Sequence, residues 1–274
     1  MWGLSLVLNK VWRALFEPIA GFNRGIALLL ISLVTGVVML WIFGAVSNQN
    51  AIKRAKDKIR AHLLEILLFN DSLKMVFRAQ GCALAHTGRY MGYAIVPLLV
   101  IMVPVVLILA QTNHLFESEP LEPEDAVTIS ARLTEWDAGL AESAALSVPD
   151  GLSVETPPLR IPETEEIEWR VRAHEYGDFD VSVNAGGQAF SKRLIVSDRQ
   201  RLISRKRVRP SFAGALFHSA EPPLGKDSPI ESIEVKYAPA RIRMARFDAH
   251  WLVMFFIFSI VFAFLFKPFL KVEI

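Results

Sequence analysis

The chain switches between long apolar runs and strongly patterned polar stretches, and each switch marks an element. Residues 25–47 (GIALLLISLVTGVVMLWIFGAVS) carry no charge, and neither do residues 90–110 (YMGYAIVPLLVIMVPVVLILA). A third uncharged run covers 251–266 (WLVMFFIFSIVFAFLF). The first two match the ~20 apolar residues that a helix needs to cross a bilayer. The pattern predicts transmembrane helices over 25–47, 90–111 and 249–268.

Between the first two runs, Ile52, Ile59, Leu63 and Ile66 recur at helical spacing. Asn70-Asp71-Ser72 interrupts that stripe, and Ser72 or Asp71 is placed to cap a second helix. Leu73, Val76, Phe77 and Leu84 supply the second stripe. Residues 48–89 therefore predict an antiparallel helical hairpin whose apolar stripes face each other.

From about residue 125 the period changes to two. VTISARL (127–133), EIEWRVRAH (166–174), DFDVSVNAGG (178–187) and FSKRLIVSD (190–198) alternate or are β-branched, with Gly177 and Gly186-Gly187 at the turns. Ile230, Ile233, Val235 and Tyr237 add a further strand. Residues 112–248 are expected to hold a β-sandwich-like domain. The expected fold class is a membrane α-helical protein of three spans with a helical hairpin, plus a β-sandwich domain. The acids of 117–125 (ESEPLEPED) read as a solvated linker into that domain.

Charge adds direction. Residues 48–89 hold eight Lys/Arg against three acids. Short basic loops beside spans stay in the cytoplasm. The hairpin and the tail 269–274 are thus expected in the cytoplasm, and the N-terminus and β domain outside, as in a bacterial inner membrane. Trp2, Leu6, Val7, Trp12, Leu15, Phe16 and Ile19 recur near helical spacing, so residues 1–24 read as an amphipathic helix on the outer face. Arg241, Arg243 and Arg246, just ahead of the third span, are placed to meet lipid phosphates. The basic run 199–209 lacks the interleaved aromatics of a nucleic-acid surface.

Candidate chemistry is sparse. Cys82 is the only cysteine, so no internal disulfide forms, and the six histidines show no metal-ligand spacing. No phosphate-binding loop, nucleophile elbow, zinc-protease or dinucleotide motif is present. No enzyme activity, metal or cofactor is expected. The spans contain no acid and no central base, which disfavours ion-coupled transport and intramembrane proteolysis. Their polar groups are Ser32, Thr35, Tyr93 and Ser259. Pro97 and Pro104 lie within the second span, each removing a backbone donor and tending to kink the helix.

The order VWRALFEPIAGFNRGIALLLISLVTGVVML (11–40), KRAKDKIRAHLLE (53–65) and GYAIVPLLVIMVP (92–104) resembles the Oxa/YidC membrane-insertase superfamily. In its three-span layout it is closer to the archaeal and endoplasmic-reticulum branches. The resemblance covers about residues 10–112, with the third span matched by position. It implies an insertase or membrane chaperone, with Lys53, Arg54, Lys56, Lys58 and Arg60 receiving a client membrane protein, a nascent chain or the ribosome. The arginine that the family carries in its first core span falls near Thr35 or Gly36, which are uncharged here. The implied groove would be lined instead by Ser32, Thr35 and Tyr93. A rival reading makes the chain a structural or assembly subunit of a larger membrane complex, packed through its phenylalanine-rich third span.

Overall fold

The computed structural model describes residues 23–69, 71–218, 220–240, 242–244 and 247–273. The helix expected over 1–24 falls almost entirely outside these residues, as do Arg241 and Arg246. The side chain of Arg243, on a short strand at Ile242–Met244, is also outside the description. The chain divides into two compact units. One runs to Ala27 and resumes over Ile108–Trp251; the other comprises Leu28–Leu107 and Leu252–Ile274.

Among the described residues, three helices are long and apolar enough to cross a membrane: α1 (Arg24–Val46), α3 (Leu73–Phe116) and α6 (Trp251–Leu270). Helix α2 (Gln49–Leu68) lies between the first two. Asn48 starts it by accepting the Ala51 amide on its side chain at 3.0 Å, which satisfies one orphan donor of the first turn. After the turn, α3 runs for 44 residues without a break through Pro97 and Pro104. At ~1.5 Å per residue it is about 66 Å long, roughly twice the hydrocarbon thickness. The hairpin helix and the second span, expected as separate elements over 48–89 and 90–111, are thus one helix. Gly88 and Gly92, beside Arg89 and Tyr90, weaken the helix without ending it, and each proline removes only one donor. The carbonyls deprived of a partner are those of Tyr93 and Val100, four residues earlier.

Helix α1 buries one face, Ala27, Leu28, Ile31, Ser32, Thr35, Gly36 and Leu40. Gly36 makes this possible, because a Cβ there would stand 2.5 Å from the Ser259 carbonyl oxygen of α6. Gly44 meets Val272 in the same way, at 2.7 Å. Small residues let helix backbones approach closely where lipid provides no hydrophobic drive. The two contacts run in the same chain direction, so α1 and α6 pack parallel.

The unit that includes Ile108–Trp251 contains two antiparallel sheets around one core. Its strands are β1 (Ala126–Leu133), β2 (Ala145–Ser147), β3 (Leu152–Val154), β4 (Leu159–Ile161), β5 (Glu166–Ala173), β6 (Gly177–Ala185), β7 (Gln188–Val196), β8 (Lys206–Val208) and β9 (Ile230–Val235). The larger sheet has the order β3-β5-β1-β9-β8 with β4 also on β5, and the smaller β2-β6-β7. Alternation decides which side chains face inward. Val127, Ile129 and Ala131 of β1, Ile167, Trp169 and Val171 of β5, and Val181 and Val183 of β6 meet in the shared core. Short helices α4 (Ala138–Ser143) and α5 (Phe212–Phe217) join strands, and β10 (Ile242–Met244) pairs with β11 (Phe247–Ala249). Gly186 and Gly187 turn the β6–β7 hairpin with φ of 58° and 75°, the left-handed pair that two-residue hairpins require.

Strand β7 is an edge of its sheet, and an edge leaves a row of unpaired backbone groups. Side chains and one loop fill that row. Arg207 donates to the Ser191 carbonyl, Lys192 Nζ to the Arg193 carbonyl at 3.2 Å, and the Arg193 amide to Glu221 Oε1 at 3.2 Å. The Ile195 amide donates to the Tyr237 hydroxyl at 2.9 Å, and the Leu121 amide to the Ile195 carbonyl at 3.2 Å. Lys192 is fully buried. Its ammonium also donates to the Ser204 carbonyl at 2.6 Å and to Glu221 Oε1 at 2.9 Å, so all three of its hydrogens are used. Burial pulls its pKa below the usual lysine value, against the opposing pull of Glu221.

One sequence expectation changes here. The acids of 117–125 are not a free linker: Glu119 bonds Arg24 at 2.6 Å, Glu117 bonds Arg205 at 2.8 Å, and Leu121 bridges to Val196. The basic run 199–209 is spent inside its own domain, with Arg201 on Asp178 at 2.8 Å, Arg205 on Glu117, and Lys206 on Glu234 at 3.6 Å.

Candidate functional site

Helices α2 and α3 form the arm. The seam between them is built from small and medium side chains, with Ile52, Ala55 and Ala79 buried. Two histidines continue it: the rings of His62 and His86 stack with centroids 5.6 Å apart and planes 10° apart. His62 Nδ1 lies 2.9 Å from Glu65 on its own helix, one turn on. At the base, the chain after α6 folds back onto the arm. The Glu273 amide donates to Gln49 Oε1 at 2.6 Å, and the Glu273 carboxylate pairs with Lys56 at 3.4 Å.

This clasp sorts the five basic residues expected to act together. Lys53, Arg54, Lys58 and Arg60 are exposed, with Arg54 Nε donating to the Asn50 carbonyl at 3.2 Å. Lys56 is half-buried, paired with Glu273 and lying 6.0 Å from the centre of the Tyr90 ring. Lys56 therefore holds the base of the arm, and the outward charge belongs to the other four, joined by exposed Lys74 and Arg78 on α3.

The arm also carries an apolar tip. Leu67, Leu68 and Leu73 are each more than 70% exposed, Phe77 is 69% exposed, and Leu63, Leu64 and Phe69 lie beside them. Leu63, Leu73, Phe77 and Leu84, expected to face inward across the hairpin, are exposed instead. The signal for the tip was in the sequence: LLEILLF (63–69) has six apolar residues in seven, more than a two-helix seam can cover.

The three residues expected to line a groove are not alike. Ser32 and Thr35 are buried on the α1 face that packs on α6, whereas Tyr93 is 43% exposed on α3. The hydroxyls of Ser32 and Ser259 are buried without a hydrogen-bond partner among the described residues. The apolar parts of α3 and α6 are far less buried than that of α1, so α3 offers a long uncovered apolar surface.

Among the described residues no group of His, Cys, Asp and Glu is arranged to hold a metal ion. Comparison of the chain with protein-family models, with curated proteins and with solved structures gives no match.

Proposed function

We propose that the chain is a membrane-protein insertase or membrane chaperone of the Oxa/YidC type, which receives apolar segments of client proteins at the tip of its arm. The observation that carries the reading is the arm itself. An exposed apolar tip, Leu63, Leu67, Leu68, Leu73 and Phe77, sits among exposed cations on a helix continuous with a span-like segment. Large exposed apolar patches on a charged element mark interaction sites. Three span-like helices and a basic loop between the first two support placement in a membrane with the arm in the cytoplasm.

The rival reading, a structural subunit of a larger complex, draws on the same helices. Ser32 and Thr35 are used in packing rather than in a groove, and α3 leaves an apolar surface for partner helices. In-cell photocrosslinking from Leu67 and from Tyr93, with mass spectrometry of the captured proteins, separates the two. Many newly made membrane proteins captured at Leu67 support the insertase reading. One or two partners in fixed proportion, captured at Tyr93 alone, overturn it in favour of the subunit.

A further inference from the structure

The outer face of the larger sheet carries a hydrogen-bonded chain of three side chains that no feature above uses. Ser153 lies on β3, His174 directly follows β5, and Glu124 precedes β1. Strands β3 and β5 pair antiparallel with Leu152 opposite Ala173 and Ser153 opposite Arg172. The His174 amide donates to the Gly151 carbonyl at 2.9 Å, which fixes the two strand ends together. Ser153 Oγ and His174 Nε2 are then 2.8 Å apart, and His174 Nδ1 is 3.2 Å from Glu124 Oε1. A carboxylate only accepts, so the neutral ring carries its proton on Nδ1 and leaves Nε2 to accept from the Ser153 hydroxyl. Nucleophile, base and orienting acid stand in the order that activates a serine.

Two details set this chain apart from the ion pairs around it. Glu124 has φ of 74°, a left-handed conformation uncommon for a residue with a side chain, and such conformations persist only where neighbours impose them. The neighbours here are the Ala173 carbonyl, 2.7 Å from the Glu124 amide, and Arg172 Nη1, 2.6 Å from the Glu124 carbonyl. Arg172 thus holds the backbone of Glu124 and stands 4.0 Å from its carboxylate, while its Nε is committed to Glu155 at 2.6 Å. With Arg172 on the Oε2 side of the Glu124 carboxylate, Oε1 is left to the histidine.

We propose that Ser153, His174 and Glu124 form a hydrolytic triad acting on carboxylic esters. His174 and Glu124 are exposed and Ser153 half-buried, so the site opens directly on solvent. Ser153 Oγ attacks the ester carbonyl carbon as its proton passes to His174 Nε2. Arg172, the cross-strand partner of Ser153, is committed to Glu155 and to the Glu124 carbonyl and so holds Glu124 in place rather than entering the reaction. The carbon–oxygen bond to the alcohol breaks, and His174 returns the proton to the departing alkoxide. Water, deprotonated by His174, then cleaves the acyl-serine and restores the hydroxyl. The sum is ester plus water giving acid plus alcohol, with no redox change. This activity is independent of the insertase reading.

The test uses the full-length chain in detergent micelles, a fluorophosphonate probe with the adduct mapped by mass spectrometry, and 4-nitrophenyl acetate as substrate. The expected result is a single adduct on Ser153, lost in Ser153→Ala along with ester hydrolysis. Labelling should slow at least ~100-fold in His174→Ala, the typical contribution of a general base. His174→Gln, which keeps a hydrogen-bonding side chain but no base, should slow it equally, with thermal melts confirming that both variants fold. Labelling of Ser153 no faster than in the urea-unfolded chain overturns the proposal. So does labelling that is unchanged in either histidine variant.

Discussion

The Tyr237 hydroxyl accepts the amide hydrogen of Ile195 at 2.9 Å, and both residues are buried. Ile195 belongs to the open edge of β7, so its amide would otherwise be a buried donor without a partner. Burial raises the Tyr237 pKa above the usual tyrosine value, and the phenol stays protonated wherever the fold is stable. Tyr237→Phe removes the acceptor and leaves the packing. The expected cost is about 1–3 kcal/mol, the desolvation penalty of an unpaired group, read as a lower melting temperature in detergent.

Lys192 and Glu221 are coupled at the same edge, Nζ to Oε1 at 2.9 Å. Removing either partner strands a buried charge, so Glu221→Gln should destabilise the β unit by about 3–5 kcal/mol. The double variant Lys192→Met with Glu221→Leu removes both desolvation penalties. It should cost less than the sum of the single changes, and denaturant unfolding of the four proteins measures the coupling.

Glu155 gives a pH dependence. The hydrogen bond from Arg172, and then that from Arg170, hold its carboxyl below the ordinary glutamate value of 4.5. A lowered folded-state pKa means that the unfolded chain binds the proton first, so the stabilisation is complete above 4.5 and is lost as pH falls through the folded-state value. Glu155→Gln should therefore melt below the parent protein at neutral pH. The difference should close as the pH is lowered past 4.5, in melts recorded across that range.

Gly36 and Ser259 fix the closest approach of α1 and α6. A methyl at Gly36 would sit 2.5 Å from a backbone oxygen, which no rotamer change relieves. Gly36→Ala should destabilise the helix pair by about 1–3 kcal/mol, as overpacking does. Ser259→Ala, which removes a hydroxyl without a partner, should be close to neutral. Resistance to unfolding in mixed detergent micelles distinguishes the two outcomes.

The arm yields a charge experiment. Reversing Lys53, Arg54 and Lys58 to Glu should abolish co-purification of client proteins while the clasp survives, because none of the three touches Glu273. Lys56→Glu should instead open the base of the arm, and limited proteolysis should then cut near Gln49. Orientation must be mapped in each variant, since the same charges direct topology.

Much of this architecture was legible in advance. The uncharged runs, the break between α2 and α3 and the strands at 126–133, 166–173, 177–185 and 188–196 follow from spacing between near neighbours. Hydrophobic period is a local property, so α1, α6 and β1 announce themselves. The continuity of α3 did not, because a basic stretch running into an apolar one looks like two elements. The apolar tip showed only as an excess of apolar residues over 63–69, since a leucine reads the same whether it meets a partner helix or solvent.

The sequence by itself determined which segments are apolar enough to span a bilayer, where the longer strands lie, and that charge concentrates on one loop. Only the tertiary structure decided that Ser32 and Thr35 pack within a helix pair, that Lys56 belongs to Glu273, that Lys192 and Tyr237 close the edge of β7, and that Ser153 meets His174 and Glu124. The reason is physical. Period and propensity act over a few residues, whereas these pairings depend on strand register and close backbone approach between residues tens to hundreds of positions apart.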